Sequence, residues 1–297
     1  LTTSARLRSA ARRAKTTDVA LVGCGMPGRG MGWYHAKQIL DGEVPSAKLM
    51  DVVEPWFLGG AADGPGGAEF AAFKKEYEGT VRFHSSIADM PKPDGPKMAM
   101  VCTRTADMPG FVEEIVANGC SHVFLEKPGA PTVGELEDLR DGCKKAGVEV
   151  FMGFNKNVTA YVTKGREALA KCPGGEFTLV HHNAYTADEL PECFERNAEG
   201  MLKNMAIHEI ALACQFWGMR STNVTDVQLN AEGCEMLTLG GFTDFSNFRA
   251  FASMATEVTV TSCGPFWTAA STSPILGACL NLTSKVTRGL YLKHTAS

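Results

Sequence analysis

Several features that mark whole classes of protein are missing from this sequence of 297 residues. No apolar run approaches the roughly eighteen residues that cross a bilayer, so we expect no transmembrane segment. The formal net charge is -4, and basic residues cluster only in the first fifteen positions, so no basic stripe is present that would bind nucleic acid. The ten cysteines form no CxxC or CxxH pair, which argues against a zinc site.

Common catalytic motifs are missing as well. The sequence contains no P-loop and no G-x-S-x-G, and "HEIAL" (208–212) begins like a metalloprotease helix but lacks the second histidine four residues later. No metal site is therefore expected. Several cysteines, such as Cys102 and Cys214, fall within apolar runs, where a free thiol behaves as a small hydrophobic group. We expect the cysteines to be reduced and buried.

Acidic residues are absent from both ends of the sequence. The opening stretch, "LTTSARLRSAARRAK", is basic and rich in Ser, Thr and Ala. This composition resembles an organellar transit segment or its remnant, and a solvated basic arm is the alternative. We treat residues 1–16 as this arm and expect an organelle, chloroplast or mitochondrion, with the cytoplasm as the alternative. Residues 264–297 have weak periodicity, and we assign no structure to them.

From Asp18 onward, short β-like runs alternate with segments of helical length. This order predicts a doubly wound parallel sheet, so the fold class is α/β with an N-terminal Rossmann domain over residues 17–155. Helices are predicted after the first strand as far as residue 40 and over 68–79, 108–119 and 131–147. Thr132 and Glu135 have capping-box spacing at the start of the last one. Residues 156–297 form the second domain, α+β with an open sheet and helices over 158–171 and 200–217.

The loop "VGCGMPGRGMG" follows the first strand and opens a helix. Gly23, Gly25 and Gly28 have the G-x-G-x-x-G spacing that lets backbone N–H groups approach a pyrophosphate at a helix N-terminus. Glu54 ends the second strand, where a carboxylate accepts hydrogen bonds from ribose hydroxyls and repels a 2′-phosphate. The loop therefore predicts NAD, with NADP less favoured, and a glycine turn without a ligand is the alternative. Either Gly30 or Gly32 is expected to pack the helix against the strand.

Four motifs in one order carry a family resemblance: the glycine loop, "LEKPGAPTVGEL", "GFNKNV" and "GMLKNMAIHEIALACQFWG". Over residues 18–263 the chain resembles the Gfo/Idh/MocA oxidoreductases, the family of glucose-fructose oxidoreductase and inositol dehydrogenase. The resemblance implies a Rossmann domain that binds NAD or NADP and a second domain whose open sheet covers the nicotinamide and forms an oligomer interface. It also implies a sugar, inositol or related polyol as substrate, and either a homo-oligomer or a subunit of a larger complex.

The resemblance assigns roles to individual residues. Lys127 matches the lysine of the family's Glu-Lys-Pro motif, and His208 matches the histidine of its D-x-x-x-H helix, in which Asn204 replaces the aspartate. A histidine has the pKa of a general base for a hydroxyl proton, and a lysine can hold the same oxygen. Further candidates are Thr103 and Glu126 for the cofactor and Asn155 and Tyr185 for the substrate, with Lys156, His181, His182 and Asn183 as weaker ones.

The sequence departs from the family pattern in three places, and these departures leave more than one function open. Asn204 lacks the charge that would stabilise an imidazolium at His208. Met108 stands where relatives commonly carry a histidine, and relatives continue through further strands and a helix, so we expect an incomplete second sheet. The chain is therefore either an NAD-dependent dehydrogenase of a polyol or a non-catalytic relative recruited as a structural subunit of an organellar complex. Transient use of NAD in a reaction without net redox is a third interpretation.

Overall fold

In a computed structural model the chain divides into two compact units, one ending at Gly153 and the other beginning at Phe154. The structure describes residues 16–172, 177–182, 187–196, 200, 202–229, 231–247, 250–254, 258–263 and 277–284. The basic stretch over residues 1–15 lies outside the described residues. The first unit ends two residues before the predicted boundary at 155.

The first unit is built on a six-stranded parallel sheet in the order β3-β2-β1-β4-β5-β6. This is the strand order of a doubly wound dinucleotide fold, and it confirms the predicted fold class. In chain order the strands are β1 Thr17–Val22, β2 Ala47–Val53, β3 Arg82–His84, β4 Lys97–Val101, β5 His122–Leu125 and β6 Glu149–Met152.

Four helices connect these strands: α1 Met31–Leu40, α2 Gly67–Tyr77, α3 Met108–Asn118 and α4 Val133–Ala146. The predicted capping box begins α4, because the Glu135 backbone N–H donates to the Thr132 hydroxyl and the Glu135 carboxylate accepts from the Thr132 backbone N–H. These reciprocal bonds satisfy two donors that the first turn of a helix leaves unpaired. The capping-box prediction is confirmed.

The core of the first unit lies on both faces of the sheet. In β1, Ala20 and Val22 belong to one buried apolar cluster and Val19 and Leu21 to another. Successive strand residues point to opposite faces, so both faces of this strand are covered. A strand that is buried on both faces has a continuous run of apolar residues, so the sequence "VALV" predicts a strand at the centre of a parallel sheet.

The second unit contains an antiparallel sheet in the order β7-β13-β12-β11-β8 and a separate hairpin of β9 and β10. Its helices are α5 Ala160–Ala170, α6 Leu190–Arg196 and α7 Ile207–Trp217. The strands are β7 Phe177–His182, β8 Val224–Leu229, β9 Glu235–Leu239, β10 Phe242–Asn247, β11 Ala250–Met254, β12 Val258–Cys263 and β13 Gly277–Ser284. This smaller sheet agrees with the predicted α+β class of the second domain.

Three elements of the second unit were not predicted: α6, the β9–β10 hairpin and β13. Leu190, Cys193 and Phe194 of α6 form a small buried cluster with Leu237 and Leu239 of the hairpin. Each element alone is too short to show a clear hydrophobic period, and only their contact creates a core. The strand β13 pairs with β12, the strand before it, and with β7, which lies far earlier in the sequence, so no local pattern specifies its place in the sheet.

Two further observations concern the described part of the chain. No described helix is long and apolar enough to cross a membrane. No group of three or more His, Cys, Asp or Glu residues among the described ones is arranged to hold a metal ion. The eight cysteines whose side chains the structure describes are free thiols, but Cys172 is exposed, so the expectation of buried cysteines is wrong there. Cys172 lies just past the end of α5, where the chain leaves its helix.

Candidate functional site

The glycine loop of the first unit lies between β1 and α1. Gly23, Gly25 and Gly28 have φ values of 80°, 70° and 77°, in the left-handed region that side chains with a Cβ rarely adopt. The Tyr34 hydroxyl donates to the Gly28 carbonyl at 2.7 Å and so ties the tip of the loop to the helix that follows. The three glycines of the predicted fingerprint are therefore required by backbone conformation.

A different pair of glycines allows the close approach of helix and strand. A Cβ added at Gly32 would lie 2.0 Å from the Gly23 carbonyl oxygen, and one at Gly30 would lie 2.8 Å from the Cys24 carbonyl oxygen. A Cβ at Gly28 would meet no atom within 4 Å. The close-packing role thus belongs to Gly32 and Gly30, and the Gly28 side of the loop is open.

Glu54 follows β2 and joins the second strand to the loop. It is buried, with 3% exposure, and its Oε2 accepts the Gly25 backbone N–H at 2.9 Å. Its Oε1 accepts the Trp56 backbone N–H at 3.1 Å. Burial, and then the charge of Glu54, raise the pKa of the Cys24 thiol in the same loop. The carboxylate is therefore held in a fixed orientation beside the loop, and Cys24 stays a thiol.

Two exposed side chains beside this carboxylate had not been singled out from the sequence. The Arg104 guanidinium lies 5.5 Å from the centroid of the Trp56 ring, which is 59% exposed. Such a pair is a cation–π contact between the loops that follow β2 and β4. Thr103 contacts the first glycine, because a Cβ at Gly23 would lie 2.7 Å from Thr103 Cγ2. The structure therefore places Thr103 beside Gly23 and Glu54 beside Gly25, both within the glycine loop.

Glu126 directly follows β5 and is also buried, with 8% exposure. Its Oε1 lies 2.9 Å from Nε2 of His35, a residue of α1 that sequence reasoning missed. His35 lies three residues after the buried Gly32 and hence on the inward face of the helix. This spacing is visible in the sequence and could have identified His35 as a buried polar residue. Lys127 follows as a half-buried residue joined to Pro128 by a cis peptide bond.

Met108 occupies the position where the family resemblance suggests a histidine. Its side chain is 2% exposed and packs in the apolar cluster with Val112 and Ile115. A thioether in this cluster stabilises the start of α3 by burial and offers no polar group to a ligand. The departure at position 108 is therefore accommodated by the core.

The second unit contains the histidine segment, and its helix begins differently from the prediction. Residues Leu202–Ala206 form a π-helical turn, and α-helical geometry starts only at Ile207. Asn204 and His208 therefore do not have the regular α-helical four-residue spacing that the sequence suggested. Single π turns occur mostly as local bulges and are frequent at functional sites, because they displace the side chains around them.

His208 is half-buried and lies edge-on to the ring of Phe154, with 6.4 Å between ring centroids. The residue after it, Glu209, is 1% exposed and accepts a hydrogen bond from the amine of Lys156. Burial raises the pKa of Glu209 and lowers the pKa of Lys156, while the pairing opposes both shifts. The turn after Phe154 is thus held against the start of α7 by a buried ion pair.

This pair corrects one prediction about the substrate candidates. Lys156, with 7% exposure, points its amine at Glu209 rather than at a ribose or substrate. Asn155, its neighbour, is exposed. Tyr185 and Asn183 lie outside the described residues, and His181 and His182 belong to β7, where the structure describes the backbone alone.

Comparison with known proteins bears on the first unit most directly. Residues 17–154 match the oxidoreductase family with an NAD-binding Rossmann fold that is named after Gfo, Idh and MocA. Residues 17–154 belong to the Gfo/Idh/MocA oxidoreductase family. The match confirms the resemblance for the motifs that lie within residues 17–154, and the fold of this family is described as an NAD-binding Rossmann fold.

A curated relative and several solved structures extend this result. The Gfo/Idh/MocA domain is similar to the uncharacterized oxidoreductase YrbE of Bacillus subtilis, with 26% identity over 127 residues, 42% of this chain and 36% of YrbE. The match thus spans about a third of the curated relative. Solved structures similar to this chain include scyllo-inositol dehydrogenase from Lactobacillus casei with NAD(H) and scyllo-inositol, at 18% identity and a TM-score of 0.60. That comparison covers 89% of this chain and 69% of the dehydrogenase.

A second similar structure is the WlbA dehydrogenase from Chromobacterium violaceum in complex with NADH and UDP-GlcNAcA. It shares 19% identity and a TM-score of 0.58, over 84% of this chain and 71% of WlbA. A third is myo-inositol 2-dehydrogenase from Lactobacillus plantarum, with 16% identity, a TM-score of 0.56 and coverage of 81% of this chain and 75% of that protein. At these identities the likeness establishes a shared fold of two domains.

The residues of the Gfo/Idh/MocA domain fit a dinucleotide. The open position at Gly28 leaves room above the loop, and the positive φ values at Gly23, Gly25 and Gly28 form the tight glycine turn between β1 and α1. Glu54 presents a fixed carboxylate at the end of β2, where ribose hydroxyls bind in this fold.

Proposed function

We propose that this chain carries an NAD-dependent dehydrogenase site that acts on a hydroxyl carbon of a sugar, an inositol or a related polyol. The observation that supports it best is the glycine loop, in which Glu54 is fixed by the Gly25 backbone N–H at 2.9 Å. The similar structures are in line with this substrate class, since they include a scyllo-inositol dehydrogenase and a myo-inositol 2-dehydrogenase.

In this proposal the cofactor contacts are Gly23, Gly25, Gly28, Glu54 and, at the ends of β4 and β5, Thr103 and Glu126. NAD, when bound, supplies the hydride acceptor. Glu54 selects NAD over NADP, because a buried carboxylate repels a 2′-phosphate and its oxygens can still accept ribose hydroxyls.

The proton chemistry is assigned to two residues. His208 takes the hydroxyl proton as general base, and Lys127 holds the same oxygen as a cation. Asn204 and Asn155 orient the substrate by hydrogen bonds, and Tyr185 contributes another. Asn204 supports an imidazolium at His208 less well than a carboxylate would, so we expect slow turnover. We further propose an organellar location and an oligomeric state.

A second candidate function is favoured by Asn204 and Met108, both of which replace polar or charged groups of the family pattern. In this case the chain is a non-catalytic relative that keeps the fold and the nucleotide and serves as a structural subunit. The two candidates share the cofactor site and differ only in turnover.

Binding and turnover separate the alternatives. Purified protein is titrated with NADH and followed by nucleotide fluorescence, and then a panel of inositols, glucose and related polyols is screened with NAD at 340 nm. We expect saturable binding and turnover of at least one polyol. Binding without turnover on the whole panel would support the structural role, and absence of NADH binding would contradict both.

The substitution Asn204→Asp tests the proton chemistry within the same assay. We expect activity to rise about tenfold or more, since positioned proton transfer contributes on the order of 10² to 10⁴. Gln215→Glu serves as the matched control because it introduces the same charge at an exposed position of α7, a residue to which no role in the site is assigned. An equal effect of both substitutions would show that the added charge acts nonspecifically.

A further inference from the structure

The contact between His35 and Glu126 links two motifs that are ninety-one positions apart in sequence. His35 follows the glycine loop on α1, whereas Glu126 begins the Glu-Lys-Pro segment after β5. The Nε2 to Oε1 distance is 2.9 Å, and the two side chains are only 18% and 10% exposed. Since an ionised carboxylate only accepts hydrogen bonds, Nε2 carries the proton and donates it to Glu126.

The surroundings leave the carboxylate little freedom. The His35 ring lies edge-on to Phe124, with 5.4 Å between centroids, which fixes the imidazole plane. A Cβ at Gly153 would lie 3.1 Å from Glu126 Oε1 and 3.2 Å from Oε2, so the backbone at Gly153 packs closely against the carboxylate and a side chain there would crowd it. On another side lies Cys102, whose thiol pKa is raised by burial and then by the charge of Glu126.

A buried carboxylate in this position requires a donor, because removing a charge from water without a hydrogen-bond partner is strongly unfavourable. His35 meets this requirement from the helix that follows the glycine loop. Lys127, the residue that the proposed function assigns to the substrate hydroxyl, is attached directly to Glu126. If His35 were absent, the carboxylate would turn to other donors, and the Lys127 ammonium is the nearest cation along the chain.

We propose that His35 is a positioning residue for the dehydrogenase site: by holding Glu126 it fixes the charge beside Lys127 and keeps the lysine amine directed to the substrate. This role rests on the proposed function, because it assumes that Lys127 serves the reaction. It couples the cofactor-binding helix to the lysine through a single hydrogen bond, and neither the glycine fingerprint nor Glu-Lys-Pro specifies it alone.

The test measures the titration of the Lys127 amine in the full chain, without cofactor or substrate. Lysines are reductively methylated with ¹³C-formaldehyde, and the Lys127 signal is assigned by its disappearance in Lys127→Arg. We expect Glu126→Gln to shift the Lys127 midpoint downward by roughly half a pH unit or more, and His35→Leu to shift it upward, since charges at close range move titrations by about this much.

Two further variants make the result specific. His35→Gln keeps an N–H donor for Glu126 and should restore the wild-type midpoint. His122→Leu is the matched control, since it removes a histidine whose Nε2 lies 4.0 Å from Glu149 on the same sheet, and it should leave the midpoint unchanged. Shifts of opposite sign in Glu126→Gln and His35→Leu cannot come from a general loss of structure.

The proposal is overturned if both variants titrate like the wild type, or if both shift in the same direction. Should His35→Leu fail to fold, His35→Ala also removes the donor to Glu126 and should shift the Lys127 midpoint upward in the same way. NADH binding by the wild-type protein is measured in parallel. A protein that binds no NADH but shows the opposite shifts would contradict the proposed function while supporting the coupling of His35 to Lys127.

Discussion

At the scale of single residues, the glycine loop depends on positions where a side chain would clash or would strain the backbone. The fingerprint glycines Gly23, Gly25 and Gly28 are needed for positive φ, but the close contact of helix and strand is made at Gly32. The sequence offered Gly30 and Gly32 as equal candidates. Only the distance of 2.0 Å between a Gly32 Cβ and the Gly23 carbonyl oxygen distinguishes the tighter of the two.

The substitution Gly32→Ala should therefore lower the free energy of unfolding by about 1–3 kcal/mol and weaken NADH binding, because the added methyl group pushes α1 away from the loop. Urea unfolding and NADH titration measure the two effects. Gly134→Ala is the matched control, since it lies in α4 with no atom within 4 Å of its Cβ position, and it should be neutral or slightly stabilising. Equal stability of the two variants would contradict the prediction.

At the scale of elements, buried charges join neighbouring strands and helices. Asp51 of β2 is fully buried and accepts hydrogen bonds from Arg82 and His84 of β3 and from Lys97 of β4. Burial alone would raise the pKa of Asp51, but the hydrogen bonds from Arg82, Lys97 and His84 lower it to about 2. No periodicity in the sequence predicts this group, because its members come from three separate strands.

This arrangement predicts how stability depends on acid. The pKa of Asp51 is lower in the folded chain than in the unfolded one, so ionised Asp51 stabilises the folded state. Its contribution to the free energy of unfolding is fully present above about pH 4 and is lost as the pH falls towards 2. Its size is about 2 kcal/mol. Urea midpoints measured from pH 5 to 2 should fall, and the fall should be smaller in Asp51→Asn. An unchanged slope in this variant would contradict the assignment.

Buried charges also join separate elements in the second unit. There the ion pair of Lys156 and Glu209 connects the turn after Phe154 to α7. Lys156→Met should destabilise the unit by about 3–5 kcal/mol, because it leaves the charge of Glu209 buried without its cation. The double variant Lys156→Met/Glu209→Leu should recover most of this loss. Chemical unfolding of the three proteins gives the comparison, and additive losses in the double variant would rule out a coupled pair.

At the scale of the whole molecule, the chain consists of two compact units, and each contains residues to which the proposed function assigns a role. The first contains the glycine loop, Glu54, Glu126 and Lys127, and the second contains His208 on its π-turned helix. A ligand that binds only the folded state stabilises it by mass action. Cofactor binding therefore has a measurable consequence for the first unit even before a substrate is known.

Saturating NADH, at a hundred times its Kd, should stabilise the first unit by about 2.7 kcal/mol. Hydrogen exchange should slow at residues 23–30 and around Glu54, where the proposed contacts lie. NADPH at the same concentration should protect less, because Glu54 repels the 2′-phosphate. Equal protection by both nucleotides would contradict the selective role of this carboxylate, and no protection by either would contradict the cofactor site.

The sequence by itself determined the elements of the first unit and the position of its glycine loop, because these depend on local properties: apolar runs, the capping pair Thr132 and Glu135, and glycine spacing. Tertiary structure alone decided which distant groups meet, including His35 with Glu126, Lys156 with Glu209, and Asp51 with three cations. It also replaced the start of the predicted helix at Asn204 by a π turn. Such contacts depend on how strands and helices pack, and no short-range pattern in the chain encodes them.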